Sequence, residues 1–175
     1  MNRLGPHRIV CLTEETTEWL YMLGQEHRIV GLSGYTVRPP RARLEKPKVS
    51  SFLNARVEKI LALKPDCVFG FSDLQADIAA QLIQSGVQVT IFNQRSIEEI
   101  FSVLYQIAAM VGQASQGEEL IQKMRAGIDA AKQKSSLLRR RPLVLFEEWD
   151  GPLISGIDRW AEPTLANYSC MGREA

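Results

Sequence analysis

RIVCLTEETTEWLYMLG, residues 8–24, reads as one strand–turn–helix unit. Arg8–Leu12 is a short run of apolar and β-branched residues, the signature of a buried strand. Thr13 stands where a helix needs its cap, and Glu14 and Glu15 suit the positive end of the helix dipole. Trp19, Leu20 and Leu23 share one face, and Gly24 stops the helix. The unit recurs along the chain. Arg28–Leu32, Cys67–Phe71 and Gln88–Phe92 read as three more strands. Ser72 with Gln75, and Ser96 with Glu99, are capping boxes opening the helices after the last two of these. Those helices end at Gly86 and Gly112, and a shorter one over about Ala55–Leu63, capped by Asn54, precedes the third strand.

Two stretches break the rhythm. Ser33–Ser51 contains Pro39, Pro40 and Pro47, which predict an irregular connection. Ser115 and Glu118 form a third capping box, and Leu120, Ile121, Met124, Ile128 and Ala131 recur behind it at helical spacing. One helix over Ser115–Leu137 would be about 35 Å long at 1.5 Å per residue. Pro142 then opens a strand over Leu143–Glu147, and no period is clear from Arg159 to Ala175.

Strands alternating with helices imply right-handed crossovers and an α/β fold with a mainly parallel sheet. In such sheets ligands meet the carboxyl ends of the strands. That rule brings Thr13, Glu14 and Glu15, the Ser33–Tyr35 turn, Ser72 and Asp73, and Asn93 and Gln94 to one edge. The proline-rich loop is expected over the same edge, and the loop aromatics Tyr35 and Phe52 suit either the wall of a flat apolar ligand's cleft or anchors that hold their loops on the domain surface. The cations of the loop, Arg38, Arg41, Arg43, Lys46 and Lys48, face one acid, Glu45, and form a candidate anion patch against the simpler reading of a solvated loop.

Composition narrows the class. The chain has 175 residues, 45% apolar and 23% charged, with 21 basic against 20 acidic side chains. A globular protein fits, and a global nucleic-acid footprint does not. No apolar run approaches the roughly 20 residues of a membrane span. Met1–His7 carries no apolar core of a secretory signal, so the reading as written is cytoplasmic, or periplasmic if a signal was removed or the start is misassigned. Dinucleotide, phosphate-loop and nucleophile-elbow motifs are missing. Cys11, Cys67 and Cys170 have no metal or redox spacing, and His7 and His27 fall before strands, away from the expected site. No catalytic residue, cofactor or metal site is assigned. Glu147, Glu148 and Asp150 are a weak acidic cluster.

Several stretches together resemble a known family: residues 8–24; RIVGLSGYTVRPP, residues 28–40; KVSSFLNARVEKILALKPD, residues 48–66; and QLIQSGVQVTIF, residues 81–92. They resemble the iron-siderophore and cobalamin periplasmic-binding proteins, the helical-backbone class of ABC-transporter solute receptors, and within it the cobalamin-binding-like branch. The resemblance covers about Arg8–Ile157. It implies a Rossmann-like ligand-binding lobe over 1–112, a long rigid linking helix over 113–141, and the start of a second lobe, largely missing, over 142–175. It implies a cobalamin-like or iron-chelate ligand, with Tyr35 at the position of a tyrosine that packs on the corrin and Phe52 at that of a tryptophan. Glu58 matches a glutamate that docks on the permease. The family's usual signal or lipoprotein cysteine is not seen. The acidic Thr13–Glu15 turn, where the family has a small proline- or serine-bearing one, disfavours an anionic siderophore. A missing second lobe implies weak affinity, and an uncovered linking helix implies a dimer or poor solubility. Two other readings stay open: a fragment that binds nothing, and a metal-dependent enzyme using Glu14 and Glu15 or Glu147 and Glu148.

Overall fold

The computed structural model describes residues 5–51 and 55–140, together with the backbone of four two-residue strands beyond. Five strands, β1 (Ile9–Cys11), β2 (Ile29–Ser33), β3 (Lys48–Ser50), β4 (Cys67–Phe71) and β5 (Val89–Phe92), form one sheet in the order β3-β2-β1-β4-β5. Every pairing is parallel, with Ile9 opposite both Ile29 and Cys67, and Phe71 opposite Phe92. The helices are α1 (Glu14–Met22), α2 (Ala42–Glu45), α3 (Val57–Ala62), α4 (Ala76–Gln84), α5 (Ile97–Met110) and α6 (Ala114–Ser136).

Alternation along β1 divides the interior. Ile9 and Cys11 join Leu32, Cys67 and Phe69 in a core closed by Trp19 and Leu20 of α1, Phe101, Leu104 and Ile107 of α5, and Ile121 of α6. Val10 and Leu12 join Val49 and Val68 in a second core closed by Ile60 of α3 and by Ile78 and Leu82 of α4. Both faces of the sheet are therefore buried, which is why its central strands read as unbroken apolar runs. The Trp19 indole donates to the Leu104 carbonyl at 2.8 Å and ties α1 to α5. At the opposite end from the expected site, the Asp66 carboxylate accepts from the amides of His7 and Arg8 at 2.8 and 2.9 Å.

Four expectations change. The Ser33–Ser51 stretch is not irregular throughout: it holds α2 and the edge strand β3. Its prolines flank these elements, and one apolar residue in a three-residue strand is too little pattern to read. The proline-rich loop does not lie over the carboxyl edge either. Because β3 is parallel to β2, the connection must descend to the other edge, and it does so along α1. Arg38 pairs with Glu18 at 3.2 Å, Arg41 pairs with Glu26 at 3.3 Å while lying over the Tyr21 ring, and the Tyr21 hydroxyl donates to Glu45. Arg43 donates to the carbonyls of Gly34 and Thr36. Arg38 and Arg41 thus tie the loop to the fold and Arg43 braces it internally, so these three cations are engaged and do not form an open anion patch.

The third change is at the helix starts. Thr13 occupies the first cap without capping by its side chain; its hydroxyl lies 3.2 Å from the Thr16 hydroxyl. Ser115 is not a cap at all, since α6 begins at Ala114 behind Gln113, and the helix expected over Ala55–Leu63 behind Asn54 is the shorter α3, which begins at Val57 behind Arg56. Gly112, in the left-handed region at φ 75°, turns the chain so tightly that α6 starts a residue early. Finally, Ser169–Cys170 is a short strand beside Leu143–Val144 where the sequence shows no period, and Trp149–Asp150 pairs with Leu153–Ile154. Phe52, Asn54, Glu147 and Glu148 lie outside the described residues.

Candidate functional site

Since all five strands run the same way, the segments after β1, β2, β4 and β5 emerge on one edge of the sheet. Glu14, Tyr35, Asp73 and Asn93 are exposed along it, and Glu15 is half-buried. Thr13 and Ser72 are buried, and their hydroxyls shape turns. Phe52 follows β3 but lies outside the described residues.

The turn after β4 is the most constrained part of this edge. Ser72 has φ 58° and ψ 174°, a region that glycine alone adopts easily. Four hydrogen bonds hold it there. The Ser72 amide donates to the Phe92 carbonyl at 2.7 Å, and the Ser72 hydroxyl accepts from the Leu74 amide at 3.2 Å. The Gln75 amide donates to the Ser72 carbonyl at 3.3 Å. The side-chain Oε1 of Gln75, a wholly buried residue, accepts from the Phe71 amide at 2.9 Å. The expected capping box is present in altered form: Gln75 reaches one residue further back, because Ser72 opens a single tight turn ahead of α4. The result pushes Asp73 and Leu74 out into solvent.

Beside that turn stands Arg95, which the sequence reading passed over. Its Nη2 donates to the Asn93 side-chain Oδ1 at 2.9 Å and lies 3.8 Å from an Asp73 carboxylate oxygen. Its guanidinium carbon is 5.3 Å from the centre of the Phe71 ring. The Arg95 amide donates to the Glu99 carboxylate, while the Ser96 hydroxyl caps α5 by accepting from the Glu99 amide. Gln94 between them is buried, and its side-chain oxygen meets no donor among the described residues. Arg95 carries no motif; only the pairing of β4 with β5 shows that it faces Asp73.

The neighbouring corner is acidic. Burial raises the Glu15 carboxyl above its usual value, against hydrogen bonds from its own amide and from Thr13 that lower it. Burial likewise pushes the Cys11 thiol up to about 12 and Cys67 to about 11, which marks both as inert core groups. Among the described residues no group of three or more His, Cys, Asp or Glu is placed to hold a metal ion. Glu58 is exposed on α3, between Arg56 and Lys59, and a hollow of about 490 Å³ next to it is lined by Lys48, Arg56 and Lys59.

A family model described as "Periplasmic binding protein" matches residues 9–168. The chain belongs to the periplasmic binding protein family. The chain is 26% identical over 139 residues to an uncharacterized ABC transporter substrate-binding lipoprotein, YvrC, of Bacillus subtilis, covering 77% of this chain and 44% of that one. It is 24% identical over 145 residues to a vitamin B12-binding protein of Pectobacterium atrosepticum, covering 81% and 52%. The chain thus spans about half the length of these curated relatives. Among solved structures, a possible iron-binding periplasmic solute-binding protein of Staphylococcus epidermidis superposes with a TM-score of 0.81 over 95% of this chain and 67% of that one, at 22% identity. A periplasmic heme-binding protein of Pseudomonas aeruginosa superposes with a TM-score of 0.69 over 80% and 52%, at 27% identity. The fold expected from the sequence is the fold observed, and the family expected is the family matched. Family members bind small solutes outside the cytoplasmic membrane, and no described helix is long and apolar enough to cross one.

Proposed function

We propose that this chain forms the ligand-binding lobe of an ABC-type solute receptor. Its ligand is a cobalamin-like macrocycle or a metal chelate, taken up at the carboxyl edge of the sheet. The reading is carried by one observation: the parallel sheet gathers Glu14, Tyr35, Asp73 and Asn93, from four loops distant in sequence, on the edge where such sheets receive ligands. The names of the relatives, a vitamin B12-binding protein and a heme-binding protein, support a flat, metal-bearing solute. Tyr35 is 58% exposed, its backbone is held by the amide's bond to the Ser33 hydroxyl at 3.2 Å, and its open ring is suited to stack on such a ligand.

On this reading, residues 1–112 are the capture lobe, 113–141 the linking helix and 142–175 the entry to a second lobe. The protein carries out no chemistry and works outside the cytoplasmic membrane beside a permease. Glu58 is the docking carboxylate, although the cations around it would weaken its pull on an arginine. The direct test is absorbance or fluorescence titration of the chain with cyanocobalamin, cobinamide, haemin and a ferric hydroxamate chelate. At least one binds saturably, and Tyr35→Ala weakens it about tenfold or more, the loss expected for removing a buried aromatic contact. Saturable binding by none of the four would sink the proposal.

A further inference from the structure

We propose that Arg95 selects, on the receptor reading above, for a ligand that carries a free carboxylate, with Asp73 holding the place of that carboxylate until the ligand arrives. The argument starts from the guanidinium. Arginine offers five N–H donors in a planar fork. Both side-chain polar partners of Arg95, Asn93 and Asp73, meet it at Nη2, and among the described residues none meets Nε or Nη1. The side chain is 38% exposed. The Phe71 ring lies 5.3 Å from the guanidinium carbon, and the bond to Asn93 restrains one end of the fork. A carboxylate that displaces Asp73 would find Nη2 and one free neighbouring N–H as a coplanar pair of donors, the geometry that arginine uses for bidentate recognition.

Asp73 is built to yield. Its side chain is 86% exposed and its oxygen is 3.8 Å from Nη2, a loose ion pair of the kind that contributes little in water. Yet the chain keeps Ser72 in a costly conformation, with four hydrogen bonds, to set Asp73 and the exposed Leu74 beside the arginine. Backbone strain of this kind collects at ligand clamps. A weakly held acid next to an open guanidinium balances its charge in the free protein, and a better-seated carboxylate can replace it. The exposed Leu74 gives the apolar body of a macrocycle a surface to lie against. The acidic turn at Glu14 and Glu15 stands two strands away, about 10 Å at the usual spacing. The edge is thus polarised, which favours a ligand with its carboxylates on one side only.

The experiment compares haemin, which has two carboxylates, with its dimethyl ester, which has none, and uses cobinamide as an amide-bearing control. In the unaltered chain haemin binds about tenfold more tightly than the ester, the difference expected of one charge-assisted pair. Arg95→Gln abolishes that difference and leaves the affinity for the ester unchanged. Asp73→Asn, which removes the competing acid, strengthens haemin binding severalfold. Opposite signs for the two variants are not what a merely structural pair would give, since loss of either partner would then weaken binding alike. Equal affinity for haemin and its ester, or a fall in haemin binding with Asp73→Asn, overturns the assignment. Binding of cobinamide without haemin also overturns it while leaving the receptor reading intact. Binding of no macrocycle and no ferric chelate removes both.

Discussion

The Gln75 side chain adds a further tie where β4 already pairs with β1. Its oxygen accepts from the Phe71 amide at 2.9 Å, and its Nε2 approaches the Leu12 carbonyl at 3.5 Å, so it bridges the ends of β4 and β1 just below the candidate site. The space is tight: a Cβ on Gly70 would sit 2.7 Å from the Gln75 oxygen. Gln75→Leu keeps the volume but strands a buried amide, which costs about 1–3 kcal/mol. Urea unfolding should show that loss, and a variant as stable as the parent would refute the bridging role. Glu15 gives a prediction in pH. Its folded-state carboxyl lies above the usual 4.5, chiefly through burial, so the folded protein holds that proton more tightly than the unfolded chain does. Ionising the group as pH rises past the usual range therefore costs stability, and below that range both states are protonated and the cost vanishes. Glu15→Gln removes the titration. Its melting temperature relative to the parent should rise steadily from acidic to neutral buffer, and a flat or falling difference would contradict the assignment.

Helices α5 and α6 cross where a glycine permits it. A Cβ on Gly117 would stand 2.4 Å from the Ala108 Cβ, and both atoms belong to rigid backbone positions. Gly127, nearly three turns further along α6, has nothing within 4 Å of its own Cβ position. The same substitution should act oppositely at the two sites. Gly127→Ala gains helix propensity of about 1 kcal/mol, whereas Gly117→Ala forces the helices apart and loses about 1–3 kcal/mol through overpacking, offset in part by that gain. Thermal melts of the pair decide it, and stabilisation by both would mean that the crossing is looser than its geometry. How legible these elements were depended on what fixed each one. The Ser96 cap and the Cys67–Phe71 strand rest on local pattern and agree with the structure. Ser115 fits the same cap pattern and fails, because the preceding turn at Gly112, not the serine, sets where α6 begins. β3 escaped notice since Val49 is its single apolar residue, and pairing with β2 rather than propensity makes it a strand.

At the scale of the molecule, the sequence located the edge but not the pairs on it. Glu14, Tyr35, Asp73 and Asn93 follow strands directly, so strand pattern and parallel topology suffice to place them. Arg95 comes two residues later and takes its meaning from Phe71 and Asp73, more than twenty residues away, which only the docking of β5 on β4 brings near. That same nesting predicts how stability is distributed. β1 is paired on both sides and buried on both faces, with Ile9, Val10 and Cys11 fully enclosed. β3 is an edge strand with one buried residue. Helix α6 buries Gly117 and Ile121 against α5, with Met124 and Ile128 partly covered, but from Asp129 to Lys134 every side chain is exposed. An uncovered helical end has little besides its own hydrogen bonds, and short helical lengths are marginal in water without tertiary packing. Amide exchange followed by mass spectrometry should therefore rank the chain: β1 and β4 slowest, opening only with global unfolding; the first half of α6 intermediate; β3 and the second half of α6 fastest among the regular elements. Uniform protection along the whole of α6 would require a cover for its distal half, and would show that the helix is held by more than its crossing with α5.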